Sequence, residues 1–239
     1  MNKADLKKIL INIFKKNKLS YSHSLICANA LINAELVGAT SHGLSRLKSY
    51  CDRIKKKVIN PKPKIKINKI SKSIVNIDAN NAIGFVAADI GIKQAISCAK
   101  KTGIGLISIK NSGHYGLSSY YAEKAVEQNL IALCFTNAPP AIAPHGAKKS
   151  LFGTNPICFG SPTHNSTPFI LDTSVSQITR GKIRVAEKLG KKIPKGVALD
   201  KFGNPTNNPK KALKGVQLPI AGYRGSGLAW MVDILSGVL

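Results

Sequence analysis

The feature that most limits what this chain can fold into is an alternation of short apolar runs and segments with helical spacing, which begins near residue 60. "IKINKISKSIVNIDA" alternates apolar and polar side chains like paired strands, and four later runs (104–109, 130–136, "ICFGSP" and "PFILDTS") are typical of buried strands. Segment 84–101 precedes the run 104–109, and segment 117–129 separates that run from 130–136. Both segments show the spacing of helices. Strands that alternate with helices predict an α/β fold with helices packed on a mixed sheet.

The first sixty residues carry the pattern of amphipathic helices instead. Apolar residues of the first helix recur at three and four positions, and Ser20 is a suitable cap for a second helix. A third helix is expected from about Gly43 to Lys56. The residues predicted to form the apolar face of the first helix are Leu6, Ile9, Leu10, Ile13 and Phe14.

The prolines of "NPKPKIK" mark a boundary after these helices. We therefore predict a helical domain over residues 1–60 and a mixed α/β domain over 61–222. Within the latter, 190–219 is rich in Lys, Pro, Asn and Gly and is expected to be extended. The apolar residues 223–239 are predicted to form a helix that returns toward the helical domain.

The net charge of +25 is the strongest signal in the composition and invites the hypothesis of a nucleic-acid partner. The lysines are nevertheless spread along the chain, and no motif combines them with aromatic residues as RNA-binding modules do. We therefore expect no specific nucleic-acid partner.

Location and cysteine chemistry follow from what the sequence does not contain. No apolar run reaches about eighteen residues, and "MNKADLKKILINIFKKNKLS" does not resemble a signal or transit peptide, so we expect a cytoplasmic protein without a membrane partner. The five cysteines are scattered without a C-x-x-C pair. This spacing predicts core thiols rather than a metal site or a disulfide framework.

His114 is the first candidate catalytic residue. The stretch "NSGHYGLSSYY" (111–121) places it between two glycines, after an apolar run and before a segment with helical spacing. Chains often hold reactive side chains on such strand-to-helix turns. The alternative is that Gly113 and Gly116 only supply unusual backbone angles around a solvated histidine.

His42 and Arg46 form a second candidate pair, in "TSHGLSRLKSY". If residues 42–54 are a continuous helix, the two side chains lie together on the face opposite the apolar residues. A guanidinium binds a carboxylate through two parallel hydrogen bonds, and an imidazole exchanges a proton near neutral pH. The pair therefore suits an acidic substrate, and the alternative is an ordinary solvated helix face.

Two further stretches combine glycines with polar residues. Asn155 begins a turn before one strand and Asp172 ends another, and polar groups at strand ends commonly bind ligands. In "GYRGSGLAW" (222–230), three glycines and Arg224 are predicted to precede a helix, an arrangement that suits a phosphate. Its G-x-x-G-x-G spacing does not match the Rossmann fingerprint, so no Rossmann turn is predicted.

In this order the motifs resemble one family over essentially the whole chain. Similarity to the type-2 malate/L-lactate dehydrogenases is carried by "SHGLSRL", "SGHYG", "TNAPPAIAPHGAKKSLFGTNPICFGSP", "FILDTSVSQITRGKI", "IPKGVALDKFGNPTNNPKKAL" and "GYRGSGLAWMVDILSGVL". The family includes ureidoglycolate, sulfolactate and malate dehydrogenases and diketogulonate reductase. The resemblance implies a non-Rossmann α/β fold, a homodimer, and NAD- or NADP-dependent hydride transfer on a 2-hydroxy or 2-oxo acid such as malate, lactate, sulfolactate or ureidoglycolate.

The resemblance also implies roles for individual residues. The catalytic histidines of the family fall on His114 and His42, and members differ in which one is named as the proton donor or acceptor. We favour His114 for proton transfer, because its glycine-flanked turn lets the ring approach the substrate, and expect His42 to orient or share the proton. The residues expected to bind substrate are Ser41, Arg46 (which would hold the carboxylate), Tyr115, Gly116 and Asn155. The residues expected to bind the cofactor are Thr136, Asn137, Ala138, Asp172, Thr173, Ser174, Lys182, Tyr223, Arg224 and Gly225.

The sequence departs from the family pattern in three places. Asp172-Thr173-Ser174-Val175 stands where members usually carry Asp-Met-Ala-Thr, and Arg224 stands where they usually carry lysine. Members also continue beyond the position of Leu239, so we expect the apolar closing helix to be exposed in this chain. On that expectation the protein either dimerises through this region or is unstable and binds NADH weakly. The competing function is a truncated relative, or a basic binding protein, without turnover.

Overall fold

The structure, a computed structural model, describes residues 2–164 and 167–238. The chain forms two compact units, one of Met1–Ala132 with Gly160–Ile170 and the other of Leu133–Phe159 with Leu171–Leu239. Leu239, the last residue of the predicted closing helix, lies outside the described residues. The predicted domain division at residues 60 and 222 stays a prediction.

The first unit begins with two helices, α1 (Lys3–Lys16) and α2 (Tyr21–Leu36). The side chain of Ser20 accepts a hydrogen bond from a backbone N–H of the first turn of α2, so the predicted cap is confirmed. The predicted apolar face of α1 is partly wrong, because Ile9 is 45% exposed whereas Ile11 is buried. The largest buried side chains of this core are Leu10, Phe14, Leu31, Tyr50 and Phe85.

After α2 the chain makes two short 3-10 turns, Thr40–His42 and Leu44–Arg46, before α3 (Leu47–Lys55) begins. The continuous helix predicted over residues 42–54 is therefore wrong. His42 and Arg46 are brought together by the two turns and not by a shared helix face.

Gly43 separates the two turns, with φ of −93° and ψ of −136°. A Cβ atom at this position would lie 2.1 Å from Oε1 of Glu35, in α2. That same oxygen accepts the backbone N–H of Leu44 at 2.7 Å. The helix is interrupted here because the carboxylate of Glu35 bonds to the backbone of Leu44. This carboxylate occupies the space that a side chain at position 43 would need, so only glycine fits there.

A mixed three-stranded sheet follows, with the strand order β1 (Lys66–Lys69), β2 (Ile74–Ala82), β3 (Leu106–Ser112). The first pair is antiparallel and the second is parallel, and α4 (Gly84–Thr102) makes the crossover that parallel strands require. The helix α5 (Ser119–Val126) follows β3. The predicted alternation of strands and helices is confirmed for this part of the chain.

A buried carboxylate, Asp89 of α4, joins α4 to α5. Its side chain lies 2.7 Å from Nζ of Lys93 and 2.5 Å from Nζ of Lys124, and it is only 4% exposed. Burial acts to raise the pKa of Asp89, but the hydrogen bonds and charges of the two lysines outweigh burial and hold that pKa below its ordinary value. The ion pair therefore stabilises the packing of α5 at neutral pH.

Replacing Asp89 with asparagine is expected to lower the free energy of unfolding at pH 7 by about 2 kcal/mol, because Lys124 loses its charge partner. The pKa is lower in the folded state than in the unfolded state, so the contribution is present above the unfolded pKa and is lost as pH falls through the folded value. Urea unfolding at neutral and increasingly acidic pH should show the difference shrinking in acid. Asp52→Asn, which breaks the exposed pair with Lys48, is the control and should change little.

A second three-stranded sheet has the order β4 (Ala132–Phe135), β5 (Ile157–Ser161), β6 (Phe169–Thr173), and residues of these strands are assigned to both units. All three strands agree with the sequence prediction. The expected burial does not hold throughout, since Leu106 of β3 is 60% exposed and Leu133 of β4 is 59% exposed.

The remaining elements of the second unit are short. They are α6 (Arg180–Lys188), β7 (Ala198–Leu199), α7 (Pro209–Leu213) and β8 (Val216–Gln217), and β7 pairs with β8 in antiparallel fashion. The prediction that 190–219 is extended is therefore only partly right. The segment contains a short helix and a two-stranded ribbon. The buried residues that pack together here are Ile178, Ile183, Ile193, Val197, Ala198 and Ala212.

The last helix, α8 (Tyr223–Asp233), continues into a π-helical turn at Ile234–Val238. Arg224 and Gly225 were predicted to precede the helix. Because α8 begins at Tyr223, they lie in its first turn instead. Gly222 occupies the cap position with φ of +60°, a conformation that favours glycine.

The closing helix buries only part of its apolar surface. Ala229 and Val232 are fully buried, whereas Trp230 is 52% and Val238 is 78% exposed. A helix that is apolar on nearly all sides normally packs on all sides. The expected exposure of this helix in the chain is confirmed.

Within the described ranges, none of the helices has the length and apolarity that crossing a membrane requires. The same residues contain no group of three or more metal-ligating side chains close enough to hold an ion. Four of the cysteines are buried, as expected of core thiols: Cys27, Cys51, Cys98 and Cys158.

Candidate active site

His114 lies on the turn between β3 and α5, as predicted. Gly116 has φ of +83°, and a Cβ atom there would lie 2.6 Å from a ring carbon of Phe85. At Gly113 the nearest atom to an added Cβ is 4.0 Å away, so a side chain has room. Of the two glycines that flank the histidine, only Gly116 is required by the backbone.

The start of α4 packs directly against this turn. A Cβ atom at Gly84 would lie 2.2 Å from the carbonyl oxygen of Gly113 and 2.4 Å from that of His114. The sequence analysis did not single out Gly84, because the need for a glycine arises from a segment about thirty residues away. This close approach fixes the backbone that carries His114.

The hydrogen bonds of His114 define where its proton lies. Nδ1 lies 2.7 Å from the hydroxyl oxygen of Tyr50 and accepts the backbone N–H of Gly116 at 3.3 Å. A backbone N–H can only donate, so its contact favours a ring in which Nδ1 carries no proton, and to such a ring the hydroxyl of Tyr50 can also donate. The two contacts therefore favour the neutral tautomer of His114 with its proton on Nε2.

The surroundings of His114 favour this neutral form. The residue as a whole is exposed, but its Nδ1 edge is in contact with Tyr50. Removal from solvent lowers the pKa of His114, and the positive charges of Arg46, His42 and Arg53 lower it further. At neutral pH the ring of His114 is therefore uncharged.

His42 faces His114 across the site. The two rings are stacked with their centres 5.7 Å apart and an interplanar angle of 20°. Nδ1 of His42 lies 3.0 Å from the hydroxyl of Ser41, and Nε of Arg46 donates to the carbonyl oxygen of Ser41 at 2.9 Å. The structure thus gathers Ser41, His42, Arg46 and His114 in the first unit.

Tyr50 and Arg53 belong to the same group but were missed in the sequence analysis. Tyr50 is 3% exposed and contacts His114, and Arg53 is close enough to depress the pKa of that histidine. Arg46, Tyr50 and Arg53 are spaced by four and three positions, the spacing of one helix face. That periodicity next to a candidate histidine was the signal available in the sequence.

Tyr115 lies on the α5 side of the His114 turn. Its hydroxyl lies 2.7 Å from the hydroxyl of Ser118, and its carbonyl oxygen accepts the hydroxyl of Tyr121 at 2.8 Å. The rings of Tyr115 and Tyr121 are also in contact, with their centres 5.3 Å apart. These bonds anchor Tyr115 to the start of α5.

The second unit holds the residues predicted to bind the cofactor, and Asn155 is central to their support. Its side-chain oxygen accepts the N–H of Ala138 at 3.1 Å, and its side-chain nitrogen donates to the carbonyl oxygen of Ala229 at 3.1 Å. Asn155 has no exposed surface. Asn155 therefore supports the 136–138 turn, and the substrate contact predicted for this residue stays a prediction.

The turn at 136–138 also packs closely against the backbone at Gly153. A Cβ atom at Gly153 would lie 2.2 Å from the carbonyl oxygen of Ala138. The hydroxyl of Thr136 donates to the carbonyl oxygen of Asn137, and the Asn137 side chain is close to Gly237. The predicted residues of this turn therefore occupy a defined backbone loop.

The 172–174 segment leads into the same region of the second unit. The N–H of Val175 bonds to the carbonyl oxygen of Thr154, and the carbonyl oxygen of Val175 accepts the N–H of Ile220, each at 2.9 Å. Burial, and to a smaller extent the charge of Asp172, raise the pKa of Cys134 to about 12. The hydroxyl groups of the segment bond locally, Thr173 to the carbonyl oxygen of Ser174, and Ser174 to Ser176.

Arg224 and Tyr223 form the first turn of α8. The guanidinium carbon of Arg224 lies 5.4 Å from the ring centre of Tyr223, and both side chains are exposed. A Cβ atom at Gly225 would lie 2.0 Å from the carbonyl oxygen of Ile220, so the chain enters this helix through a tight backbone contact. Lys182 is separate: it lies on α6, and no contact found among the described residues places it beside this turn.

The amino-acid sequence matches the family described as malate/L-lactate dehydrogenase over residues 1–239. The chain belongs to that family. The malate/(S)-sulfolactate dehydrogenase of Methanothermus fervidus is 39% identical over 231 residues, which cover 97% of this chain and 68% of the relative.

Two solved structures of the family resemble the protein closely. The sulfolactate dehydrogenase of Methanocaldococcus jannaschii matches with a TM-score of 0.94 and 39% identity over 100% of this chain and 69% of that chain. The delta1-piperideine-2-carboxylate reductase of Pseudomonas syringae matches with a TM-score of 0.95 and 30% identity over 99% of this chain and 71% of that chain. The expected family and the α/β fold class are confirmed, and so is the expected reaction class, hydride transfer between a nicotinamide cofactor and a 2-hydroxy or 2-oxo acid.

The second unit has the chemistry that a nicotinamide dinucleotide requires. Arg224 places a cation in the first turn of α8, where backbone N–H groups and the helix dipole favour a phosphate. The close approach of Gly153 to Ala138 and the buried amide of Asn155 hold the 136–138 loop as a preformed backbone surface. The residues present therefore fit the cofactor that the family implies.

Proposed function

We propose that the protein interconverts a small 2-hydroxy acid and its 2-oxo acid with NAD or NADP, with Arg46 binding the carboxylate, His42 exchanging the proton and His114 donating a hydrogen bond to the C2 oxygen. The observation that supports these roles is the backbone N–H of Gly116 on Nδ1 of His114. From the sequence alone, His114 was favoured for proton transfer and His42 for orienting or sharing the proton. This proposal exchanges the two roles.

The proposed role of His42 follows from the partner of its Nδ1. The hydroxyl of Ser41 can accept a hydrogen bond from a protonated Nδ1 in both the neutral and the charged ring, so the ring can gain or lose a proton at Nε2 while that bond is kept. In the oxidation direction, Nε2 of His42 takes the hydroxyl proton of the substrate. A bound nicotinamide would supply the hydride acceptor for C2 in oxidation and the hydride donor in reduction.

His114 is less suited to take that proton. Its Nδ1 faces a backbone N–H, which cannot accept, so charging the ring would place two donors against each other. The proton on Nε2 instead makes His114 a fixed donor to the oxygen at C2, where charge develops during the reaction.

The substrate proposed here carries a second anionic group, as sulfolactate and malate do. The charges of Arg46 and Arg53 both lower the pKa of His114, and this supports a role for two cations at one small site. We assign the carboxylate at C1 to Arg46 and the second anion to Arg53. Lactate and ureidoglycolate, which lack a second anionic group, are expected to react less well.

The direct test is to incubate the protein with NADH or NADPH and a panel of 2-oxo acids and to follow the nicotinamide absorbance. Sulfopyruvate and oxaloacetate should be reduced faster than pyruvate at equal concentration. Absence of turnover with every acid, together with normal folding, would favour the competing hypothesis of a non-catalytic relative. The homodimer and the cytoplasmic location stay predictions.

Replacing Arg224 with alanine is expected to weaken NADH binding about tenfold, because a hydrogen bond to a charged group contributes about 1.5 kcal/mol or more. Titration of nicotinamide fluorescence measures the dissociation constant. Arg184→Ala removes another exposed arginine of the second unit and should leave the affinity unchanged. Equal affinities of the two variants would show that Arg224 does not contact the cofactor.

A further inference from the structure

The roles proposed above leave one contact unexplained, that between the buried hydroxyl of Tyr50 and Nδ1 of His114. The two atoms are 2.7 Å apart, although the residues are 64 positions apart in the sequence. Of the two groups that contact Nδ1, Tyr50 makes the shorter bond and Gly116 the longer, at 3.3 Å. Neither the carboxylate contact of Arg46 nor the proton exchange of His42 requires this tyrosine.

The ring of Tyr50 is held in one orientation, and its hydroxyl is a protonated group that can donate. Its ring packs against Phe85 with the centres 4.9 Å apart and an interplanar angle of 60°, and the residue is only 3% exposed. Burial raises the pKa of its phenol above the ordinary value, and this outweighs the opposing effect of Arg46. The hydroxyl therefore keeps its proton at neutral pH and can donate it to Nδ1.

The alternative tautomer of His114 conflicts with these surroundings. A proton on Nδ1 could be donated to the oxygen of Tyr50, but it would face the backbone N–H of Gly116. Nε2 would then present a lone pair to the substrate, and a lone pair repels the carbonyl oxygen of a 2-oxo acid. The tautomer of His114 thus decides whether the residue attracts or repels the reacting oxygen.

We infer that Tyr50 is a positioning residue that, together with the backbone of Gly116, holds His114 in the Nε2–H tautomer, so that His114 meets the C2 oxygen as a hydrogen-bond donor. The inference about catalysis rests on the proposed function. The tautomer itself is a property of the free protein. Tyr50 touches neither substrate nor cofactor in this scheme and acts only through His114.

The test is an ¹⁵N spectrum of the histidine rings at neutral pH, with the His114 signals assigned by their loss in His114→Ala. The free protein should show a pyrrole-type Nε2 and a pyridine-type Nδ1 for His114. In Tyr50→Phe, which keeps the packing against Phe85, the two nitrogens should shift toward the averaged values of a tautomer mixture. Tyr121→Phe is the matched control: it also loses a buried hydroxyl bond near the turn, to the carbonyl oxygen of Tyr115, and should leave the His114 tautomer unchanged.

The kinetic expectation is a fall in kcat of about tenfold in Tyr50→Phe with KM nearly unchanged, because one hydrogen bond is lost and Arg46 still binds the carboxylate. A protonated Nδ1 in the unmodified protein would overturn the inference without any variant being made. An unchanged tautomer in a folded Tyr50→Phe would overturn it as well, since Gly116 alone would then suffice.

Failure of the inference and failure of the proposed function give different results. The ¹⁵N spectrum is recorded without substrate or cofactor, so it reports the tautomer even if no 2-oxo acid is turned over. Conversely, a dehydrogenase with the predicted substrates but with a protonated Nδ1 on His114 keeps the proposed reaction and loses the role of Tyr50.

Discussion

Replacing His42 with glutamine is expected to lower kcat for reduction of a 2-oxo acid by about 10²–10⁴-fold, the usual contribution of general acid–base catalysis. Glutamine has a similar reach and can donate a hydrogen bond through its amide, but it cannot take or release a proton near neutral pH. The same change at His114 keeps a donor near the position of Nε2. His114→Gln should therefore retain clearly more activity than His42→Gln.

Steady-state kinetics of the two variants under identical conditions provide the measurement. The pKa of His114 is depressed below its ordinary value, so this residue stays neutral over the range in which His42 is expected to exchange its proton. The pH profile of kcat should accordingly keep its shape in His114→Gln. If His114→Gln is the more damaged variant, proton exchange belongs to His114, as the sequence alone suggested.

The parts of the structure that the sequence predicted are those governed by local patterns. Ser20 caps α2 through its own side chain, and α4 begins within the segment in which apolar residues recur at helical spacing. The turn that holds His114 is marked by Gly116, whose positive φ is a local requirement. Such features depend on residues within a few positions, so one sequence is enough to find them.

The parts that were mispredicted depend on residues far apart in the chain. The helix expected over 42–54 is broken by the carboxylate of Glu35, which holds Leu44 across the space left by Gly43. The support that Asn155 gives to the 136–138 turn was likewise not visible in the sequence, since its amide also bonds to Ala229, 74 positions away. Periodicity contains no information about such contacts, because they arise only when separate elements pack together.

Tyr50 illustrates the same limit within the site itself. Its spacing of four and three positions from Arg46 and Arg53 was visible in the sequence, but its bond to His114 joins α3 to a turn 64 positions later. The candidate histidines His42 and His114 were identified from the residues next to them in the sequence. Tyr50 was identified only from its contact with His114 in the structure.

Replacing Arg46 with lysine is expected to lower kcat/KM for a 2-oxo acid by about 10- to 100-fold, mainly through KM. In the structure, Nε of Arg46 bonds to the carbonyl oxygen of Ser41, and this orients the guanidinium so that its two terminal nitrogens can hold a carboxylate. Lysine keeps the charge but loses both the bond to Ser41 and the planar two-point contact. A matched ketone without the carboxylate should show no comparable loss.

Arg53→Lys is the control that separates the two arginines. Arg53 lies seven positions after Arg46 and also acts on His114, but it is assigned to the second anionic group of the substrate. With pyruvate, which has one anionic group, Arg46→Lys should raise KM and Arg53→Lys should not. With sulfopyruvate or oxaloacetate both variants should raise KM. An equal effect of Arg46→Lys on the 2-oxo acid and on the ketone would show that Arg46 does not bind the carboxylate, because a loss shared by a substrate without that group must come from elsewhere in the site.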